Sequence, residues 1–307
     1  MPFPIEDKLV IAVSSSALFD LTESDRVFRE QGEGAYREFQ KDNLDAVLQP
    51  GVAFPFIRRF LSFNQIFREE MPVEVVLLSR NSTATGRRVF RSIADHGLDI
   101  SRAAFLSGTS PFPYIPAFNA SLFLSANEDD VRSAVEAEYP AGLILPSQVS
   151  DDTGDDELRV AFDFDGVLAD DEAEIVFKEE GLQRFFEYER LHQNKEHQPG
   201  LLADLFRKLS RLQSLEAERV KEDSGYQRIL RTSIITARNA PAHERVITTL
   251  QSWGVEANET FFLGGMEKNR ILNVLRPHIF FDDQLSHLQC DGLALVHVPF
   301  GAANHDR

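Results

Sequence analysis

Short apolar runs recur along the chain: "LVIAVS" (9–14), "VEVVLLS" (73–79), "SLFLSA" (121–126), "GLILP" (142–146), "LRVAFDFD" (158–165), "RTSIITA" (231–237), "ETFFLGG" (259–265), "PHIFFDD" (277–283) and "LALVHVP" (293–299). Longer stretches with helical spacing separate many of them, among them "APAHERVITTLQSWG" and "KNRILNVLRP". Strands that are apolar throughout, alternating with helices, predict an α/β fold with parallel sheets covered on both faces. The acidic, glycine-containing stretch "SQVSDDTGDDE" (147–157) reads as an exposed linker. Two domains are therefore expected, 1–150 and 151–307.

The pattern also repeats. At an offset of 149 residues "VFREQG" (27–32) falls on "VFKEEG" (176–181), and "QPG" (49–51) falls on "QPG" (198–200). The same shift lays "IAVSSSALF" (11–19) on "VAFDFDGVL" (160–168). Farther along, at 157, "ADHGLDISRAAFLSG" (94–108) meets "QSWGVEANETFFLGG" (251–265), and "LFLSAN" (122–127) meets "IFFDDQ" (279–284). Order, spacing and apolar pattern agree, so we read two tandem copies of one unit. The alternative is two α/β units sharing only a common grammar. Under duplication Asp163 and Asp165 face Ser14 and Ser16, Lys268 faces Pro111, and Asp282 and Asp283 face Ser125 and Ala126. The ionisable groups are in the second copy, so chemistry is expected there.

Charge narrows the partners. The 307 residues carry a formal net charge of −17. That acidity disfavours nucleic acid and anionic membrane surfaces as partners. The single cysteine, Cys290, allows no internal disulfide and suits a reducing compartment. The N-terminal residues lack a basic n-region, and no apolar run reaches the roughly 18 residues of a membrane span. A cytoplasmic location is expected. A homo-oligomer remains open.

Four features of the second copy stand at strand ends or helix starts, the edge where open α/β sheets bind ligands. In "DFDGV" Asp163 and Asp165 are two residues apart, so both carboxylates can reach one site as the strand ends, one as nucleophile and one for proton transfer. In "IITARN" the Thr236 hydroxyl, with Ala237, Arg238 and Asn239 after it, suits a phosphoryl oxygen near a helix start. Lys268, at a helix start, is unfavourable there unless an anion is near. "FFDD" adds Asp282 and Asp283, which with Asp163 make an oxygen-rich site suited to Mg²⁺. Each feature alone has a plainer reading: solvated acids, an N-cap threonine, a surface lysine, an N-cap aspartate.

Acid pair, hydroxyl, lysine and acid pair in this order resemble the haloacid dehalogenase-like phosphohydrolases. That resemblance implies that Asp163 attacks phosphorus and becomes an aspartyl-phosphate. Asp165 then protonates the leaving oxygen and deprotonates water, and Thr236 and Lys268 hold the phosphoryl group. Asp163, the backbone carbonyl of Asp165, and Asp282 or Asp283 would bind Mg²⁺.

Over nearly the whole chain, "LVIAVSSSALFDL", "RFFEYERLHQNK", "ITARNAPAHERVITTLQSWG" and "LRPHIFFDDQ" are similar to the cytosolic 5'-nucleotidases of type I. This implies Mg²⁺-dependent hydrolysis of nucleoside 5'-monophosphates such as AMP. The chain departs from that family's animal members in reading Asp-Phe-Asp-Gly-Val where they tend to have Asp-Gly-Asp-Ala-Val, and in having Ser16 where they tend to have Arg.

Residues 170–230 are too many for a simple crossover and are expected to form a helical cap over the acids. Within it, Phe186, His192, Asn194 and Lys195 are the candidates for contacting a nucleobase, with Phe185 and Tyr188 beside them. The plainer reading makes the two phenylalanines core and the rest a solvated face. Two other functions compete: a sugar-phosphate phosphatase or phosphomutase with the same motifs, and a catalytically vestigial nucleotide-binding protein.

Overall fold

Nearly every apolar run becomes a short strand, and most are wholly buried. The computed structural model describes residues 3–304. The chain divides into two compact units, one of residues 1–139 with 149–151, the other of 140–148 with 152–307.

The first unit contains β1 (Leu9–Val13), α1 (Ser15–Leu18), α2 (Thr22–Asp42), α3 (Phe54–Ile66), β2 (Val73–Ser79), α4 (Thr83–Asp95), β3 (Arg102–Phe105), β4 (Ala120–Ser125) and α5 (Glu128–Glu136). Its strands run in the order β3-β2-β1-β4, all parallel. β1, β2 and β4 are buried at every position, because helices cover both faces of a parallel sheet.

The second unit contains β5 (Ala141–Ile144), β6 (Leu158–Phe162), α6 (Glu172–Leu191), α7 (Ala203–Glu222), β7 (Leu230–Thr236), α8 (His243–Trp253), β8 (Glu259–Phe262), α9 (Asn269–Leu275), β9 (Ile279–Asp282) and β10 (Leu295–His297). Its order is β5-β10-β9-β6-β7-β8. All neighbours are parallel except β5, which pairs antiparallel with β10. This pairing draws 140–148 into the second unit, across the boundary expected at 150.

The order β8-β7-β6-β9 matches β3-β2-β1-β4, as two copies of one unit would have it. Backbone hydrogen bonds show where the two units differ. Ser14 N donates to Leu124 O and Asp163 N to Phe281 O, each at 2.8 Å, which pairs 14 with 163. Gly51 N donates to Leu18 O and Gly200 N to Leu168 O, which pairs 18 with 168. The second unit thus holds one more residue in this turn, so Asp165 has no single partner in the serine run. The first unit fills the turn with α1. The second makes an open loop through Gly166 at φ +69°, a conformation glycine adopts freely.

The expected cap over 170–230 proves too wide. α7 buries Leu205, Phe206, Leu209 and Leu212, and Phe206 stands edge-on to Phe162 of β6 with ring centroids 5.5 Å apart. It is the ordinary crossover helix between β6 and β7. α6 differs: it breaks at Gly181 (φ +84°) and buries only Ala173 and Glu189. α2 of the first unit breaks in the same way at Gly32 (φ +82°), so this kinked helix is not peculiar to the acidic unit. Among the described residues no helix is long and apolar enough to cross a membrane.

Candidate active site

β6 is buried along most of its length and delivers Asp163 into an interior with little water. Phe164 N donates to Asp163 Oδ1 at 2.7 Å, and Lys268 Nζ lies 2.6 Å from Asp163 Oδ2. Lys268 is the N-cap residue of α9, and its ammonium also lies 2.6 Å from Asp282 Oδ2 at the end of β9. The sequence placed this lysine beside an anion; the structure gives it two carboxylates.

The two acids that end β9 differ sharply. Asp282 is engaged at both oxygens. Besides Lys268, it accepts from Gln284 N at 2.9 Å and lies 3.1 Å from His287 Nδ1. Asp283 is 1% exposed, and neither of its carboxylate oxygens has a hydrogen-bond partner. A buried charge in that state is costly unless a cation shares the space. Gly166 makes the room: a Cβ there would stand 2.6 Å from Asp283 Oδ2.

Titration follows from this imbalance. Burial pushes the Asp283 carboxyl far up, and the charges of Asp163, Asp282 and Glu174 add to it. Burial also raises Asp163, and the Lys268 charge only partly opposes that. Burial would likewise raise Asp282, but Lys268 and His287 outweigh it and hold it down. Three acids thus share one buried lysine, so they cannot all ionise without a further cation. Ligand atoms of Asp163, Asp282 and His287 come within 4.8 Å of one another, and the orphaned Asp283 lies beside them. Clustered carboxylates with an unmet charge, beside one imidazole, fit a hard divalent cation.

β7 supplies Thr236, whose Oγ1 accepts from Arg238 N at 3.2 Å. Arg238, expected near a phosphoryl oxygen, engages two carboxylates. Its Nε and Nη2 grip Asp165 Oδ2 and Oδ1 at 2.7 and 2.6 Å, and its Nη1 pairs with Glu189 of α6.

A cavity of about 480 Å³ opens over these groups. Asp163, Asp165, Thr236, Ala237, Arg238 and Asn239 all line it. Phe186 lines it too, with Phe177, Leu182 and Phe185, all from α6. Phe177 and Leu182 are 47% and 55% exposed, large apolar side chains left uncovered at this cavity. His192, Asn194 and Lys195 are not among its lining residues. They follow the end of α6, where His192 Nδ1 lies 2.8 Å from Tyr188 O and the Lys195 carbonyl accepts from Arg245. The wall-forming face of α6 ends at Phe186, six residues before the first of these three.

Sequence reasoning missed Glu174, Lys178, Gln284 and His287, which also line the cavity. The apolar positions 177, 182, 185 and 186, spaced for one face of a broken helix around Gly181, were the available signal. Nothing in the sequence marked Glu189, the one acid fully buried in a helix that otherwise buries only Ala173.

The family model for 5'-nucleotidases matches residues 1–305. Over 299 residues the chain is 34% identical to cytosolic 5'-nucleotidase 1B of Homo sapiens, an alignment covering 94% of this chain and 48% of that protein. The chain thus spans about half the length of this relative. No solved structure matches it significantly.

Proposed function

The chain belongs to the 5'-nucleotidase family, and from that premise we propose that it hydrolyses nucleoside 5'-monophosphates to nucleoside and phosphate through Asp163. One observation carries the reading: a buried carboxylate held by a lysine opens into a cavity whose facing wall is apolar and aromatic. The acid end suits a phosphoryl group, and Phe177, Leu182, Phe185 and Phe186 suit a nucleobase. The human relative, a cytosolic 5'-nucleotidase by name, supports both the activity and a cytoplasmic setting.

In this reading the elements follow a haloacid dehalogenase-like plan. An oxygen of Asp163 attacks phosphorus, and the bond from phosphorus to the ribose O5' breaks. Asp165 gives its proton to O5'. It then takes a proton from the water that attacks the aspartyl-phosphate, phosphate leaves, and Asp163 is restored. Lys268 offsets part of the burial penalty on the ionised Asp163, and its ammonium with the Thr236 hydroxyl holds phosphoryl oxygens. Asp163, Asp283 and the backbone carbonyl of Asp165 would hold Mg²⁺, which supplies charge neutralisation at the phosphoryl group. Asp282 serves mainly to anchor Lys268, because its oxygens are already engaged.

Phosphate release from a panel of nucleoside monophosphates and sugar phosphates, with Mg²⁺ or with a chelator, tests this. Release from a nucleotide that needs the metal and no bisphosphate activator is expected. Turnover of sugar phosphates alone, a requirement for an activator, or nucleotide binding without release would refute it.

A further inference from the structure

We infer that Arg238 is the positioning residue for the carboxylate of Asp165, and that Glu189 of α6 in turn fixes Arg238. The inference rests on the reading of Asp165 as the group that moves the proton.

Arg238 is 4% exposed and all five of its side-chain N–H groups are accounted for. Nε and one Nη2 proton hold the two oxygens of Asp165 in a bidentate fork. The second Nη2 proton faces His197 Nε2 at 3.1 Å. Nη1 donates to Glu189 and to Ala242 O, the latter at 3.3 Å. No donor remains for a phosphate. A planar fork of this kind fixes a carboxylate in direction as well as position, which a point charge cannot do.

The fork is itself held from behind. Glu189 is 1% exposed and stands between two buried arginines, giving one oxygen to Arg238 and the other to Arg245 Nη1 at 2.9 Å. Arg245 Nη2 reaches Glu172 at 3.0 Å, and Arg245 Nε donates to Lys195 O. His197 is fully buried; the tautomer with its proton on Nδ1 donates to Asp170 Oδ1 at 3.2 Å and accepts from Arg238. Asp170, Glu172 and His197 have metal-like spacing. Each already has a protein partner, Asp170 in His197, Glu172 in Arg245 and His197 in Arg238, so they serve here as struts. The Arg238 guanidinium also lies 5.5 Å from the Phe185 ring centroid and 5.6 Å from that of Phe164. The helix that lines the nucleoside side of the cavity therefore also supplies the acid that fixes the proton-transfer group.

A positioning role predicts a selective defect. A basic leaving oxygen must be protonated as it departs, whereas a nitrophenolate leaves unaided. The test uses the full chain with Mg²⁺ and a series of substituted phenyl phosphates of similar size. The quantity read is kcat/KM plotted against leaving-group pKa. The Asp165→Asn variant sets the reference by steepening the plot. Glu189→Gln, nearly isosteric, should steepen it as well, losing about tenfold on the most basic phenol while the nitrophenyl ester stays within about threefold. Arg238→Lys should lie between Glu189→Gln and Asp165→Asn, and Asp165→Asn with Glu189→Gln should add nothing to Asp165→Asn alone. If Asp165→Asn steepens the plot while both other variants only displace it in parallel, the positioning inference is overturned. If Asp165→Asn itself gives a parallel displacement, the reading of Asp165 as proton donor fails, and the inference falls with it.

Discussion

Replacing Asp283 with asparagine should make the metal-free protein more stable. Asp283 is buried, both its oxygens lack partners, and Asp163 and Asp282 crowd it with like charge. Its folded pKa is therefore raised above the ordinary 3.8. The folded state keeps a proton that the unfolded chain gives up. Stability from this group is fully present below about pH 4 and falls as pH rises toward the raised value. Holding a carboxyl protonated at pH 7 when it would ionise at 3.8 costs about 4 kcal/mol, an upper bound because the site relaxes and admits water. The asparagine avoids that penalty but buries an amide with few partners, giving back about 1–3 kcal/mol. A net gain of about 1–3 kcal/mol at pH 7 follows from these two terms. Urea unfolding in a chelator, at pH 5 and pH 8, with and without Mg²⁺, measures it. Wild type should weaken from pH 5 to pH 8 in chelator and recover with Mg²⁺. The variant should be stronger than wild type at pH 8 in chelator, flatter with pH, and nearly indifferent to Mg²⁺. A variant weaker than wild type in chelator that still gains fully from Mg²⁺ would refute the assignment of Asp283 as the uncompensated acid.

Lys268→Met removes the one cation shared by Asp163 and Asp282, and should cost about 3–5 kcal/mol at pH 8 and less near pH 5, with turnover lost; thermal unfolding and phosphate release read both. The smaller loss at acid pH follows because, without Lys268, burial raises the carboxyls of Asp163 and Asp282, and their protonation near pH 5 removes charge that stays uncompensated at pH 8. Phe186→Ala should raise KM for AMP about tenfold through lost ring contact, whereas Lys195→Ala, outside the cavity lining, should leave it within about twofold of wild type; steady-state kinetics distinguishes them. Gly166→Ala places a methyl group against Asp283 at positive φ and should cost about 1–2 kcal/mol in backbone strain alone, with a weakened Mg²⁺ response in the same unfolding assay.

The strands and their alternation with helices were legible because a strand covered on both faces must be apolar throughout, as "LVIAV" and "VEVVLLS" largely are. The four motifs were legible because the plainer readings of each do not predict acid pair, hydroxyl, lysine and acid pair in that order on successive strands. The division of labour between Asp282 and Asp283 was not, since adjacent residues look alike until Lys268, Gln284 and His287 are seen to engage only the first. The partners of Arg238 were hidden for the same reason. A guanidinium beside a phosphate-binding threonine suggests an anion contact, and only the fold reveals that Asp165 and Glu189, 73 and 49 positions away, already occupy it. The cap was overdrawn because α7 carries a charged outer face that masks the buried row Leu205, Phe206, Leu209 and Leu212.

Transfer of phosphate to Asp163 tests the central claim most directly. The chain is mixed with Mg²⁺ and AMP labelled in its phosphate, quenched in acid within milliseconds, and digested. The label should appear on the peptide that contains Asp163, and Asp163→Asn should show neither label nor phosphate release. Phosphate release by Asp163→Asn at the wild-type rate, or a label found on another peptide, would contradict the account.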